Sequence, residues 1–288
     1  MIDNYLLEEL VTFKETKTLA ATAEKLNLTQ PSVTRGMQKL ESVLGVQLFD
    51  RQPNRITLTE IGEVAAKEAK KALKANQDLV NTVQNFARSK EVFRIGMTIP
   101  GPMLALEQVK LTTKIEIEQN LQSNDAVERL LKDHMFTAIF SNQELMTKDI
   151  ESRCVGIERL IVNLDQFMYH ANQETITFKE LKGLSFIVLR AIGPWSQMIQ
   201  ESIPDATFMY QEEQNALAKL TKYSNFPYFT TNLSKLSSFW VKRLDYDDRV
   251  SIPISDESAQ MPIYVSYLKQ DRKKVLPLIK AVTDEWPN

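Results

Sequence analysis

Apolar residues recur at helical spacing through the first ninety or so positions of the chain and give way to short strand-like runs beyond them. Leu6, Leu7, Leu10, Val11 and Phe13 form a stripe over Asn4 to Glu15, which predicts a helix. Leu19, Ala20, Ala23 and Leu26 mark a second, with small residues that let a neighbouring helix approach closely. Asn27 and Leu28 form a corner. Thr29 then caps a third helix that starts at Gln30, where Pro31 in the first turn loses no needed N–H. Val33, Met37, Leu40 and Leu44 line its inner face, and Gly45 ends it. In the stretch VQLFDRQPNRITLT, Leu48 and Phe49 seal this core, while Ile56 and Leu58 alternate with Arg55 and Thr57 as a strand does. Asp50 to Asn54 reads as a polar turn that carries Arg51.

Thr59 caps a long helix that runs from Glu60 to about Arg88 without a proline, with Glu60 and Glu63 matching its positive end. Ala65, Ala69, Ala72, Asn76, Leu79, Val83 and Phe86 are spaced alternately four and three, which is a heptad seam. At 1.5 Å per residue, about 29 residues span roughly 43 Å, long for a helix packed on its own domain, so pairing with a second copy is expected. Asn76 sits in that seam, where a buried amide fixes register. A helix packed on its own globular domain is the alternative.

Beyond a polar hinge at Ser89 to Glu91, strands and helices alternate, as in α/β layers. Strands are predicted at FRIGM (93–97), KIEIEQ (114–119), FTAIF (136–140), RLIVNL (159–164), FMYH (167–170), LSFIVL (184–189), TFMY (207–210), PYFTT (227–231), VSIPI (250–254) and PIYVSYL (262–268). Helices are predicted over Asp125–Lys132, Phe178–Leu181, Trp195–Ser202, Glu212–Tyr223, Leu233–Val241 and Arg272–Asp284.

The 288 residues suffice for two or three domains, and 43% hydrophobic with 25% charged residues is an ordinary globular composition. Net charge is −2, but residues 1–90 hold 13 Lys and Arg against 11 Asp and Glu, and the remainder 22 against 26. A mildly basic front and acidic back is the asymmetry expected of an N-terminal nucleic-acid-binding unit. The single cysteine, Cys154, rules out an intramolecular disulfide and a multi-cysteine zinc site; it is a small apolar filler or a redox sensor. His134 and His170 lie too far apart for a local metal motif, and no nucleotide-binding or hydrolase fingerprint occurs, so no metal, cofactor or catalytic residue is assigned. No signal peptide precedes Asp3 and Glu8 and no apolar run nears the ~18 residues of a membrane span, so a cytoplasmic protein is expected.

The outer face of the third helix carries Gln30, Ser32, Thr34, Arg35, Gln38 and Lys39. Short polar arms reach base edges in a DNA major groove and cations hold phosphates, although a solvated face of an ordinary helical hairpin has the same composition. Arg51 and Arg55 on a two-stranded turn beside this pair would form a wing along the phosphates, or else serve as solubilising charges.

With these elements in order, the chain resembles the LysR-type transcriptional regulators. The resemblance is closest in AATAEKLNLTQPSVTRGMQKLESVLGVQLFDR, residues 20–51, and continues through Leu58 and Thr59. FRIGM, where that family starts its effector domain, and GIERLIV, where its first lobe hands over to its second, extend it more weakly over the whole length. The resemblance implies a winged helix-turn-helix at residues 1–59, a linker and dimerisation helix at 60–89, and a two-lobed, periplasmic-binding-protein-like α/β effector domain at 90–288. Lobe I would cover about 91–161 and 263–288, lobe II about 162–262. It implies a homodimer or homotetramer on double-stranded operator DNA, a small-molecule effector between the lobes, and RNA polymerase as a further partner. Gln30 and Pro31 would start the recognition helix, Thr34 and Arg35 would contact DNA, and Arg51 and Arg55 would lie in the wing.

Effector residues are implied at strand ends facing the cleft: Thr98, Ile99 and Gly101, Ser123 and Asn124, Ser141 and Asn142, Arg190 with Trp195, and Phe229, Thr230 and Thr231. Arg190 would take an anion or form an interdomain salt bridge. The chain departs from the family pattern in three places. Only Thr98 to Thr113 separate the first two strands of the effector domain, the family's Gly-x-x-Asp appears as His134 and Thr137, and its Gly-rich turn as Tyr223 to Phe226. An altered anion pocket is therefore expected. The rival reading is a two-lobed binding protein or enzyme whose N-terminal helices serve only assembly.

Overall fold

The computed structural model describes residues 1–52, 55–109, 114–244 and 248–287, in two compact units, 1–84 and 85–288. In the first, α1 (Asn4–Thr16), α2 (Leu19–Lys25) and α3 (Gln30–Leu44) precede the hairpin of β1 (Phe49–Gln52) and β2 (Arg55–Leu58) and the long α4 (Glu60–Ser89). Side-chain oxygens start the helices: Thr18 accepts from Ala21 N, Thr29 from Ser32 N and Thr59 from Gly62 N. Residues with left-handed backbone end or join them, Lys17, Asn27 and Gly45 having φ of 63°, 55° and 70°. Leu6, Leu10, Phe13, Val33, Met37, Leu40, Leu48 and Phe49 form the core, with Phe13 edge-on to Phe49 at 5.1 Å. Pro53 and Asn54, part of the expected wing turn, lie outside the described residues.

α4 corrects the expected seam. Ala69 is buried with Ala66 in this core, and Ala65 and Leu73 pack against it. Asn76 donates to Asn4 Oδ1 at 2.7 Å within its own unit, so its amide is not a register lock against a second copy. The outward apolar line is instead Ile61, Val64, Ala72, Ala75, Leu79 and Val83, on one side of the helix at about 3.6 residues per turn. Leu79 is 64% and Val83 60% exposed. Phe86, further along, packs edge-on against His134.

The second unit is built on one curled mixed sheet. Its strands are β3 (Phe93–Met97), β4 (Ile115–Ile117), β5 (Ala138–Ser141), β6 (Ile150–Asp165), β7 (Ser185–Leu189), β8 (Thr207–Gln211), β9 (Tyr228–Thr231), β10 (Arg249–Pro253) and β11 (Gln260–Leu268). The order is β4-β3-β5-β11-β6-β9-β7-β8, with β10 also on β6. Two parallel triplets, β4-β3-β5 and β9-β7-β8, are thus joined through the antiparallel pair β11 and β6. The helices are α5 (Gly101–Leu106), α6 (Val127–Lys132), α7 (Pro194–Ser202), α8 (Gln214–Lys222), α9 (Ser238–Leu244) and α10 (Arg272–Asp284).

Two expectations are corrected here. RLIVNL is the end of the 16-residue β6, which runs through both lobes, and FMYH is not a strand: Phe167 is in a turn and Tyr169 starts a short 3₁₀ helix. Phe167 and Tyr169 are 87% and 90% exposed, so they have no opposing layer to make them a strand. The short link after β3 holds only the six residues of α5, and Lys110 to Thr113 lie outside the described residues. His134 takes φ 54° where the family pattern has glycine. At the turn before β9, Arg249 donates to the carbonyls of Ser224 and Phe226.

Candidate nucleic-acid interface and ligand cavity

α3 buries Val33, Met37 and Leu40 and turns its other side outward. Gln30, Pro31, Arg35, Gln38 and Lys39 are exposed there, with Ser32 and Thr34 half-buried beside them. Ser32 and Thr34 are partly occupied in their own helix, Ser32 with the Thr29 hydroxyl and Thr34 with the Gln30 carbonyl. The cations divide into two kinds. Lys39 donates to the Tyr5 hydroxyl and to Asp3, each at 2.9 Å, and these partners hold its pKa above the usual lysine range. Arg51 pairs with Glu41 at 2.8 Å. Arg35 and Arg55 make no ion pair or side-chain hydrogen bond among the described residues.

Glu41, which the pattern of the sequence left unremarked, sets the wing's position: Oε1 accepts from Leu48 N at 2.8 Å and Phe49 N at 3.1 Å, while Oε2 takes Arg51. Glu9 on α1 lies under α3 against Gly36, where a Cβ would meet Glu9 Oε2 at 1.8 Å. Only glycine leaves that carboxyl its place, and burial raises its pKa.

A concavity of the second unit holds about 420 Å³. Of the implied effector positions, Gly101, Trp195, Phe229, Thr230 and Thr231 line it. The others do not. Ile99 is in the apolar core. Thr98 and Ser141 are buried, Ser141 donating to Gln143 O, and Asn124 donates to Asn142 at 3.1 Å. Ser123 is exposed ahead of a short 3₁₀ turn. Arg190 pairs on the surface with Glu212 at 2.5 Å and lies over Tyr210, so it is neither an anion clamp in the cavity nor an interdomain bridge. Cys154 is exposed on β6 and so is not a buried filler.

The central polar group of the cavity is one the sequence patterning passed over, Glu158. It is 2% exposed, on β6 where that strand passes between the lobes, and burial pushes its pKa up to about 7. Thr231 and Trp195 lie close enough to draw the value part of the way back. Its Oε2 and the Trp195 indole N–H nevertheless complete no hydrogen bond among the described residues. A Cβ on Gly101 would meet Oε2 at 2.5 Å. The signal in the sequence was a lone acid inside the apolar run GIERLIV.

A capped helix-turn-helix with an unpaired arginine on its outer face, a wing behind it and a two-lobed α/β unit define a winged-helix DNA-binding protein with a built-in cavity domain. Residues 6–63 match the family model for the bacterial regulatory helix-turn-helix protein, lysR family. The HTH-type transcriptional regulator DgcR of Pseudoalteromonas is 24% identical over 68% of this chain and 72% of its own length. BsdA of Bacillus subtilis is 27% identical over 68% and 70%. Among solved structures, Vibrio fischeri DarR in complex with DNA superposes with a TM-score of 0.56 over 97% of this chain and 98% of its own, at 16% identity, a likeness of fold. Residues 6–63 are thus a lysR-family helix-turn-helix, the chain is similar over two thirds of its length to transcriptional regulators that carry one, and the protein is a DNA-binding regulator of transcription. Among the described residues no helix is long and apolar enough to cross a membrane.

Proposed function

We propose that the protein reads its operator by laying α3 in the major groove, with Gln30 and Arg35 facing base edges and Arg55 on a flanking phosphate. The observation that carries this reading is the unengaged Arg35 on the outer side of a helix whose inner side is wholly committed to the core. Thr34, Gln38, Lys39 and Arg51 sit around it and hold the helix and wing against the backbone; the ion pairs of Lys39 and Arg51 are exposed and exchange readily for phosphate. Residues 1–59 serve as the DNA-binding head, 60–89 as the linker and 90–288 as the effector domain. Two copies pair through the outward line Ile61, Val64, Leu79 and Val83 of α4. A small molecule at Glu158, gripped from both lobes, biases how the paired heads sit on DNA, and this takes place in the cytoplasm, where the DNA is.

Fluorescence anisotropy with a labelled duplex from upstream of the protein's own gene tests the reading. Arg35→Ala is expected to weaken binding by about tenfold to a hundredfold, the ~1 to 3 kcal/mol of a good base contact. Equal binding by Arg35→Ala and the unmodified protein would overturn it.

A further inference from the structure

We infer that the cavity at Glu158 is built for an organic cation, an amine carried on an apolar or aromatic body. The inference rests on the reading of this cavity as the effector site. Its charged lining residues among those described are Glu158 at the floor and Glu107 at the exposed rim, and no Lys, Arg or His joins them. A carboxylate ligand would find no counter-ion there and would repel the ionised form of Glu158, which is a costly arrangement in a desolvated site. An ammonium meets the opposite: a carboxylate oxygen that is buried and lacks a hydrogen-bond partner.

The rest of the lining fits the remainder of such a molecule. Met97, Met103, Leu104, Val188 and Ile192 give apolar walls, and Trp195, Phe229 and Trp240 present ring surfaces that attract cations and stack on aromatic bodies. Gly101 matters because any side chain there would fall on Oε2, the oxygen an ammonium would take. The volume, about 420 Å³, is within the range of small-molecule sites. Without ligand, a proton on Glu158 removes the uncompensated charge below about pH 7; an arriving ammonium takes over that role and releases the proton.

Three probes that share one body test this on the full-length protein: phenylbutylamine, phenylbutanol and phenylbutanoate, followed by calorimetry and tryptophan fluorescence. The amine is expected to bind about tenfold or more tightly than the alcohol, and the carboxylate more weakly than either. Because Glu158 titrates near 7, the amine's affinity is expected to rise about tenfold from pH ~6 to pH ~8 in the unmodified protein, a result that needs no variant to fold. Glu158→Gln should bring the amine to the alcohol's affinity and leave the alcohol unchanged. Tighter binding of the alcohol or carboxylate than the amine, or an amine affinity indifferent to pH, overturns the cation assignment while leaving the cavity as a ligand site. Saturable binding of none of the three overturns both that assignment and the effector reading beneath it.

Discussion

Replacing Glu158 with glutamine should make the effector half more stable at neutral and alkaline pH, even though it removes a polar group at the heart of a cavity. Burial raises the Glu158 pKa from 4.5 to about 7. Between those two values the folded chain holds a proton that the unfolded chain has already released, so stability falls as pH rises through this window and levels off above it. At about 1.4 kcal/mol per pH unit, the loss is on the order of 3 kcal/mol. Glutamine is neutral throughout and suffers no such loss. Glu151 and Glu180, whose partners lower their pKa values below 4.5, act with the opposite sign but in a more acidic window. Urea unfolding followed by tryptophan fluorescence isolates the effect, because Trp195, Trp240 and Trp286 all lie in the C-terminal half. The unmodified protein should lose stability between about pH 5 and pH 8 and the Glu158→Gln variant should not. Parallel losses in the two proteins, or a gain for the unmodified one, would refute the reasoning.

The DNA-binding half and the linker give further tests. Gly36→Ala places a Cβ 1.8 Å from Glu9 Oε2. It should lower stability by ~1 to 3 kcal/mol in far-UV circular dichroism melts, and Glu9→Ala in the same chain should restore most of it. Arg55→Ala is expected to flatten the log–log salt dependence of operator binding by about one unit, while Lys39→Ala, already engaged by Asp3 and Tyr5, changes it less; anisotropy at stepped salt distinguishes them. Leu79→Glu puts a charge in the middle of the outward line of α4 and should halve the sedimenting mass without altering the far-UV spectrum, whereas an unchanged mass would show that the line is not the pairing surface.

The N-terminal unit was legible because local rules agree there. Thr29 and Thr59 are caps, Pro31 is in a first turn, and the apolar spacing of α1 and α3 points to one core, whereas the Thr18 cap emerges only from the structure. The α4 seam was only partly so, since a four-three repeat of alanines does not reveal which side the preceding domain covers, and Ala65 and Ala69 turned inward. β6 is legible only from Arg159 onward because Glu151 and Arg153 break the apolar alternation expected of a strand. Those positions make sense only once β11 lies alongside, with Arg153 opposite Val265. FMYH misled in the other direction, its aromatic residues having strand propensity but no layer to pack on. Glu158 escaped notice for a related reason. A single acid in an apolar run reads as a strand's exposed face, and its burial follows from α5 and α7 closing over it, contacts between residues distant in sequence.

Methylation protection of guanine N7 along a duplex from upstream of the protein's own gene measures the central claim most directly, because N7 lies in the major groove where α3 is proposed to sit. The expected pattern is protection in two half-sites whose centres are one helical turn or a multiple of it apart, about 10 base pairs or multiples, lost at both when Arg35 is replaced by alanine. Protection that is absent from the major groove, or that persists unchanged in Arg35→Ala, would contradict it.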